Sequence, residues 1–325
     1  MRSTRRHFLR LAAGAAVLPI LPRSAWSQVY PSRPVRILVG FAAGGSADIV
    51  ARLTGQWLTD RLLQPFVIEN RPGAGTNIAT EAVVKAAPDA YTLLLVTAAN
   101  SINATLYGAL NFNFIRDIMP VAGLGREPNV MLVNPAVPAR TVPEFITYAK
   151  ANPSKVVMAS GGNGAPSHVS GELFKMMTGI VMVHVPYRGA APALTDLLAG
   201  QVHIYFGPLV ASIEYIKVEK LRALAVTSLQ RSEILPDVPT VDEFVPGYEA
   251  SQSYGLGVPR GTPVELVHTL NREIDAALAD PKMKERFASL GATVMPGSPA
   301  DYGRFIAEET EKWAKVIRAT NIKAD

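Results

Sequence analysis

From residue 34 onward, short apolar runs rich in β-branched residues alternate with stretches in which apolar side chains recur every three or four positions. Val35 to Val39 reads as a buried strand, and the recurrence of Ile49, Leu53, Trp57 and Leu58 after Asp48 predicts a helix, which makes one βα unit. The alternation continues through strands at 91–96, 130–133, 155–159, 181–185, 203–206 and 221–226, with helices at 142–150, 167–177 and 191–198. Such alternation predicts parallel-rich α/β sheets. The C-terminal part reads as three helices, 263–278, 281–290 and 299–319, each with Pro at its start. No repeat and no low-complexity linker interrupts the pattern.

The first 27 residues follow a different pattern. A basic start is followed by the uncharged stretch Leu11 to Pro22 and then by small residues around Ala25-Trp26-Ser27. Twelve residues with Pro19 among them fall short of the ~20 that a spanning helix needs, so a cleaved export signal is expected, with Gln28 as the mature N-terminus. Thr4-Arg5-Arg6-His7-Phe8-Leu9-Arg10 resembles the twin-arginine consensus, with Arg10 where Lys is usual. Five of the 32 basic residues lie in this segment, which has no acid. The net charge of +5 therefore vanishes from the remaining chain, leaving 27 basic against 27 acidic side chains and no reason to expect nucleic acid. A remainder of 298 residues is long enough for two domains of roughly 150 each.

Candidate chemistry belongs beyond the carboxyl ends of the strands, where helix N-termini offer free N–H groups to anions. Three segments fit: Phe41 to Asp48, Ser160 to His168, and Pro186 to Ala191, each glycine-bearing and each joining a strand to a helix. Together they favour an anion-binding cleft. Nucleotide sites fit badly, because Gly45 is followed by Ser46 rather than Lys, and Gly73-Ala74-Gly75 lacks the third glycine of the dinucleotide turn. There is no Gly-x-Ser-x-Gly elbow and no His-Glu-x-x-His pair, and among the histidines of the mature chain only His168 falls in a candidate loop. The absence of Cys excludes disulfides, thiolate catalysis, Cys-held metals and lipoprotein acylation. No catalytic residue, metal or cofactor is expected.

The run from Pro34 to Arg52, Val-Arg-Ile-Leu-Val-Gly-Phe-Ala-Ala-Gly-Gly-Ser-Ala-Asp at its centre, resembles the opening of the Bug, or TctC, solute-binding proteins of tripartite tricarboxylate transporters. Glu69 to Gly75, His184 to Leu194, Leu221 to Thr227 and Leu235 to Thr240 match further motifs in order, and the likeness extends over Tyr30 to Asp325. The resemblance implies an α/β chain of the type II periplasmic-binding-protein fold, with two α/β lobes around a ligand cleft, joined by two crossing strands. Lobe one is expected over 28–126 with 252–325 and lobe two over 127–251, after a signal peptide at 1–27. The implied function is a periplasmic, monomeric receptor, not an enzyme, that captures a small di- or tricarboxylate for the membrane subunits of a tripartite tricarboxylate transporter. Alternatives on the same fold are a sensing co-receptor docking on a sensor kinase, and a hydrolase or lyase acting on a carboxylate.

Carried over residue by residue, the resemblance places ligand contacts at Phe41, Ala43, Gly44, Gly45 and Asp48 in the first loop and at Tyr187, Arg188, Gly189 and Ala190 in the second. Thr97, Asn100, Ser160, Asn163, Ser167, His168 and Gly207 are expected to complete the lining. Thr97 and Ser167 have a competing role as helix caps, and Asp48 either caps a helix or accepts a hydrogen bond from a substituted ligand. Arg52, one turn on, is expected to pair with Asp48. Three departures stand out. Ala42-Ala43 replaces a common pair of prolines, Ala90 a common glycine, and Gly207 a common aspartate, whose loss removes an acceptor from the cleft.

Overall fold

The computed structural model describes residues 30–289, 291–320 and 322–323. Residues from Arg33 onward form one unit, and of the unit before it only Tyr30, Pro31 and Ser32 are described. The expected export segment and the cut before Gln28 lie outside the described residues.

Ten strands form the sheet: β1 (Val35–Val39), β2 (Phe66–Asn70), β3 (Thr92–Thr97), β4 (Ile118–Val133), β5 (Val157–Ser160), β6 (Val183–Pro186), β7 (Ile204–Pro208), β8 (Arg222–Val226), β9 (Ser251–Pro259) and β10 (Thr293–Val294). Their order is β2-β1-β3-β9-β4-β7-β5-β6, with β8 and β10 also pairing with β4. The near-continuous apolar runs of β1 and β3 are buried on both faces, as strands covered by helices on each side must be.

Strand β4 divides the sheet. Its residues Ile118 to Pro128 pair with β9, and Asn129 to Val133 pair with β7, so one strand passes from the first half of the sheet into the second. The chain returns beyond Thr227, which exchanges hydrogen bonds with Asn129 and accepts one from Ala250 N–H, just before β9 begins opposite Pro128. The Pro299–Thr320 helix spans both halves as well: Tyr302 and Ile306 pack in the first core, and Trp313 and Ile317 in the second with Phe145, Phe174, Phe206 and Tyr248.

Two sequence expectations are corrected here. The sheet is mixed rather than mainly parallel: β1 with β2 and β3, and β5 with β6 and β7, are parallel, but every pair made by β4 or β9 is antiparallel. A chain that crosses between halves and returns beside its outgoing strand must run against it. Strand 130–133 is also only the end of the sixteen-residue β4. Pro120, Gly123, Gly125 and Pro128 hide the rest, and the register with β9 shifts at two points among them, as bulges at such residues do. Short elements with little periodicity were not predicted: β2, β9 and the helices Asn77–Val84, Ala98–Leu106 and Leu209–Lys217.

Candidate ligand-binding site

The loop after β1 and the loop after β6 meet across the mouth of a cavity. Ala42 N–H donates to the Arg188 carbonyl at 3.0 Å, and an added Cβ on Gly45 would lie 3.3 Å from the Ala190 methyl. The replacement of proline by Ala42 matters here, because proline could not donate this hydrogen bond. Gly189 sits at φ +124°, ψ −178°, a conformation nearly reserved for glycine, with room for no more than a hydrogen against Ala42 N.

Behind these loops the cavity is lined by Phe41, Gly45, Ser46, Ala47, Gly161, Ala165, Pro166, Ser167, Ala190, Tyr205, Pro208, Gln252 and Tyr254. Its free volume is about 30 Å³, room for about two water molecules, so entry of any dicarboxylate requires the two sides to part. No Lys, Arg, His, Asp or Glu lines it. Donors for an anion come instead from backbone: the helices Ser46–Leu62, Pro166–Thr178 and Ala190–Leu198 begin at the cavity without a side-chain cap, and Leu209–Lys217 begins there too with its Val210 N–H taken by Glu127. Ser46 Oγ is buried at the wall and makes no well-formed hydrogen bond. Phe41, Ala47, Ala165, Pro166 and Pro208 give the space an apolar body.

Of the residues predicted from sequence, Phe41, Gly45, Ser167 and Ala190 lie on the wall. Others shape the loops from behind. Asp48 Oδ2 accepts from Gly44 N–H and from Arg52 Nε, both at 2.9 Å, so the expected Asp48–Arg52 pair forms. Asp48 is at the third helical position and Gly45 is the N-cap, so the carboxylate braces the loop rather than capping the helix end. Burial opposes its charge, but Arg52, Gly44 N–H and Asn70 outweigh burial and hold its pKa below the usual value. Asn70 also donates to the Phe41 carbonyl, which fixes the loop from the other side. Ala43 belongs to this braced loop.

Thr97 and Asn100 form a capping box on the Ala98–Leu106 helix, and Asn100 donates on to Thr80, so both polar groups are directed into the first half of the sheet. Ser167 Oγ accepts from Gly161 N–H at the wall. Ser160 shares a 2.6 Å hydrogen bond with His184 Nε2, whose ring stacks on His168 at 3.9 Å, and His168 Nδ1 accepts from Gly164 N–H. These groups hold the 160–168 loop in shape. The Asn163 carbonyl instead meets Tyr107 Oη and Gly75 of the other half. Tyr187 Oη donates to Asp196 at 2.6 Å, and burial with this acid pushes the phenol pKa up to about 12. Arg188 is exposed and contributes its carbonyl. Gly207 leaves space for the Tyr205 ring, which a Cβ there would meet at 2.4 Å.

Ser46, Tyr205, Gln252 and Tyr254 were missed, and so was Glu127 beneath them. Ser46 lay within the first loop and was legible as a hydroxyl at a helix start. The tyrosines and Gln252 come from distant strands and carry no local signal. Glu127 also reaches the turn that follows Gly207. Its Oε2 accepts from Val210 N–H at 3.0 Å, so β4 delivers a carboxyl group to the start of the Leu209–Lys217 helix that follows Gly207. Among the described residues no cluster of three or more His, Cys, Asp or Glu could hold a metal, and no helix is long and apolar enough to cross a membrane.

Residues 50–322 match the model of the tripartite tricarboxylate transporter family receptor, TctC. The structure superposes on periplasmic binding protein BugD with a TM-score of 0.88 at 34% identity, over 91% of this chain and 100% of that one. Rpa4515 of R. palustris, solved with adipate, gives 0.88 at 36% identity over 90% and 99%. MatC of Rhodopseudomonas palustris, solved with malate, gives 0.85 at 32% identity over 89% and 100%. The two sheet halves joined by crossing strands are thus the two lobes of a type II periplasmic binding protein. With the family model matching residues 50–322 and the fold superposing over nearly the full chain, the protein belongs to the TctC family of tripartite tricarboxylate transporter receptors.

Proposed function

We propose that this protein is a periplasmic receptor that captures a small aliphatic carboxylate and delivers it to the membrane subunits of a tripartite tricarboxylate transporter. The observation that carries the reading is the cavity between the lobes. Uncapped helix N-termini from both sides converge on a space with no charged side chain, so a carboxylate finds N–H donors and positive dipole ends while the apolar wall takes its methylenes. The adipate and malate complexes of the similar proteins support the same ligand class. The matching family of transporter receptors and the similar periplasmic binding proteins favour capture over turnover.

The lobes taken to move are 28–126 with 252–325 and 127–251, a division supported by the change of pairing partner along β4 at Pro128 and Asn129. Ligand bridging the two loops would bias the closed form. Export through the twin-arginine route with cleavage before Gln28 completes the proposal, supported by Arg5-Arg6 and the apolar stretch after them. The test is calorimetric titration with mono-, di- and tricarboxylates, adipate and malate among them, with product analysis of the same mixtures. One-to-one binding without product is expected. Absence of binding across the series, or steady product formation, overturns the reading.

A further inference from the structure

Glu127 lies directly beneath the cavity, 1% exposed, on a part of β4 that faces the wall. From β9, Tyr254 Oη shares a short hydrogen bond with Oε1, and Gln252 is its register partner. From the Leu209–Lys217 helix, Val210 N–H reaches Oε2. From the Ser46–Leu62 helix comes the Ser46 hydroxyl, and from β7 the Tyr205 phenol. The one carboxylate on the first turn of that helix, Asp48, is bound to Gly44 N–H and Arg52. The neighbouring Arg126 lies over the Phe305 ring. Among the described residues no cation faces Glu127.

An anion-binding cavity with an uncompensated carboxyl group under its floor is a contradiction if that group stays ionised, since a like charge in a dry site repels the ligand. The shared hydrogen bond with Tyr254 resolves it. While Glu127 is ionised it can only accept, so the Tyr254 hydrogen is committed to Oε1. Once Oε1 carries a proton, it becomes the donor and Tyr254 Oη the acceptor, and the phenolic hydrogen is released. Tyr254 is itself part of the cavity wall, beside Ser46 Oγ, so that hydrogen can turn toward the ligand.

We propose that Glu127 is a positioning residue that couples capture of a carboxylate to uptake of one proton from solvent, by reversing the hydrogen bond it shares with Tyr254. This rests on the reading of the cavity as a carboxylate site. The proton both removes the repelling charge and supplies one more donor to the ligand oxygen. Burial, opposed by the Tyr254 and Val210 hydrogen bonds, pushes the carboxyl pKa up to about 7, so small changes in its surroundings move it across neutral pH. Glu127→Gln mimics the protonated form: the amide oxygen accepts from Val210 N–H and the amide NH₂ donates to Tyr254.

The test is calorimetric titration of adipate and of malate at pH 6, 7 and 8, each in HEPES and in Tris, whose ionisation heats differ. Wild type should take up almost no proton at pH 6 and close to one at pH 8, with affinity falling up to about tenfold per pH unit above the carboxyl's own pKa. Glu127→Gln should bind without a buffer-dependent heat and with a flat pH profile. Tyr254→Phe should weaken binding at pH 6, where the released hydrogen is in use. A heat independent of buffer in wild type at pH 8, or the same uptake in Glu127→Gln, overturns the proposal while leaving the carboxylate reading standing. Failure of both acids to bind at pH 6 removes that reading and the coupling with it. Should Glu127→Gln not fold, the infrared carboxyl band of wild type decides: protonated-carboxyl absorption must grow when adipate is added at pH 8, and an unchanged spectrum overturns the coupling.

Discussion

Gly189→Ala should separate closure of the cleft from stability of the fold. The residue sits at φ +124°, ψ −178°, and an added Cβ would stand 3.0 Å from Ala42 N and 3.5 Å from the Phe41 and Ala42 Cβ atoms. Holding a residue with a side chain in that backbone region costs about 1–3 kcal/mol, and the crowding adds to it by pressing on the Ala42 N–H hydrogen bond to Arg188. The contacted atoms belong to the opposite loop, so this part of the cost falls on the closed form. Weakening that hydrogen bond takes about 0.5–1.5 kcal/mol from the closed form, so at 1.4 kcal/mol per tenfold the affinity for adipate should drop by about 2- to 12-fold. Gly179→Ala serves as the control. Gly179 ends the Pro166–Thr178 helix at φ +69° with nothing within 4 Å of its added Cβ, so it carries a backbone penalty of about 1 kcal/mol without touching the cleft. Calorimetric titration at pH 6 and urea unfolding of both variants give the comparison. If Gly189→Ala loses as much stability as Gly179→Ala yet binds adipate within twofold of wild type, the closing role assigned to Gly189 is wrong.

The ligand-free protein should show Glu127 in its stability profile. Its folded pKa of about 7 lies above the ordinary 4.5, so the stability it contributes is complete below pH 4.5 and is lost as pH rises through 7, about 3 kcal/mol in all. Glu127→Gln should flatten that fall in unfolding free energy between pH 5 and pH 8, and parallel profiles for the two proteins would contradict the assignment. Asp48→Asn removes the negative charge that Gly44 N–H and Arg52 share while leaving an amide oxygen, and should cost about 1–2 kcal/mol at neutral pH, discounted because Arg52 is half exposed. Since the Asp48 pKa is lowered, its contribution is present above the ordinary carboxylate range and is lost as acid protonates it, so unfolding curves of variant and wild type should converge at low pH. Changing Arg5 and Arg6 together to Lys should leave precursor in the cytoplasm, and normal periplasmic accumulation of that variant would refute the twin-arginine route.

Much of this protein is local, and the local part was legible in its sequence. Apolar β-branched runs mark the strands that helices bury on both faces, and the glycine-bearing loops after β1, β5 and β6 announce themselves because a sharp strand-to-helix turn needs glycine or a hydroxyl at set positions. The motifs in those loops also carried the family, and the Asp48–Arg52 pair followed from helical spacing alone. The loops supplied only part of the cavity wall, Phe41, Gly45, Ser46, Ser167 and Ala190 among it. Glu127, Tyr205, Gln252 and Tyr254 stand far from the first loop in the chain, and they meet it because β4 crosses between the lobes and β9 returns beside it with Glu127 opposite Gln252. Periodicity reports which face of an element is buried, whereas strand pairing between remote segments decides what that face is buried against. Thr97 and Asn100 show the same limit from the other side: their residue types suit a ligand or a cap, and the capping box with its onward hydrogen bond to Thr80 is visible only in the packed helix. The sequence thus determined the loops, the helices behind them and the kinship, while the tertiary structure alone placed a buried acid beneath the cavity, because burial is a property of the assembled fold.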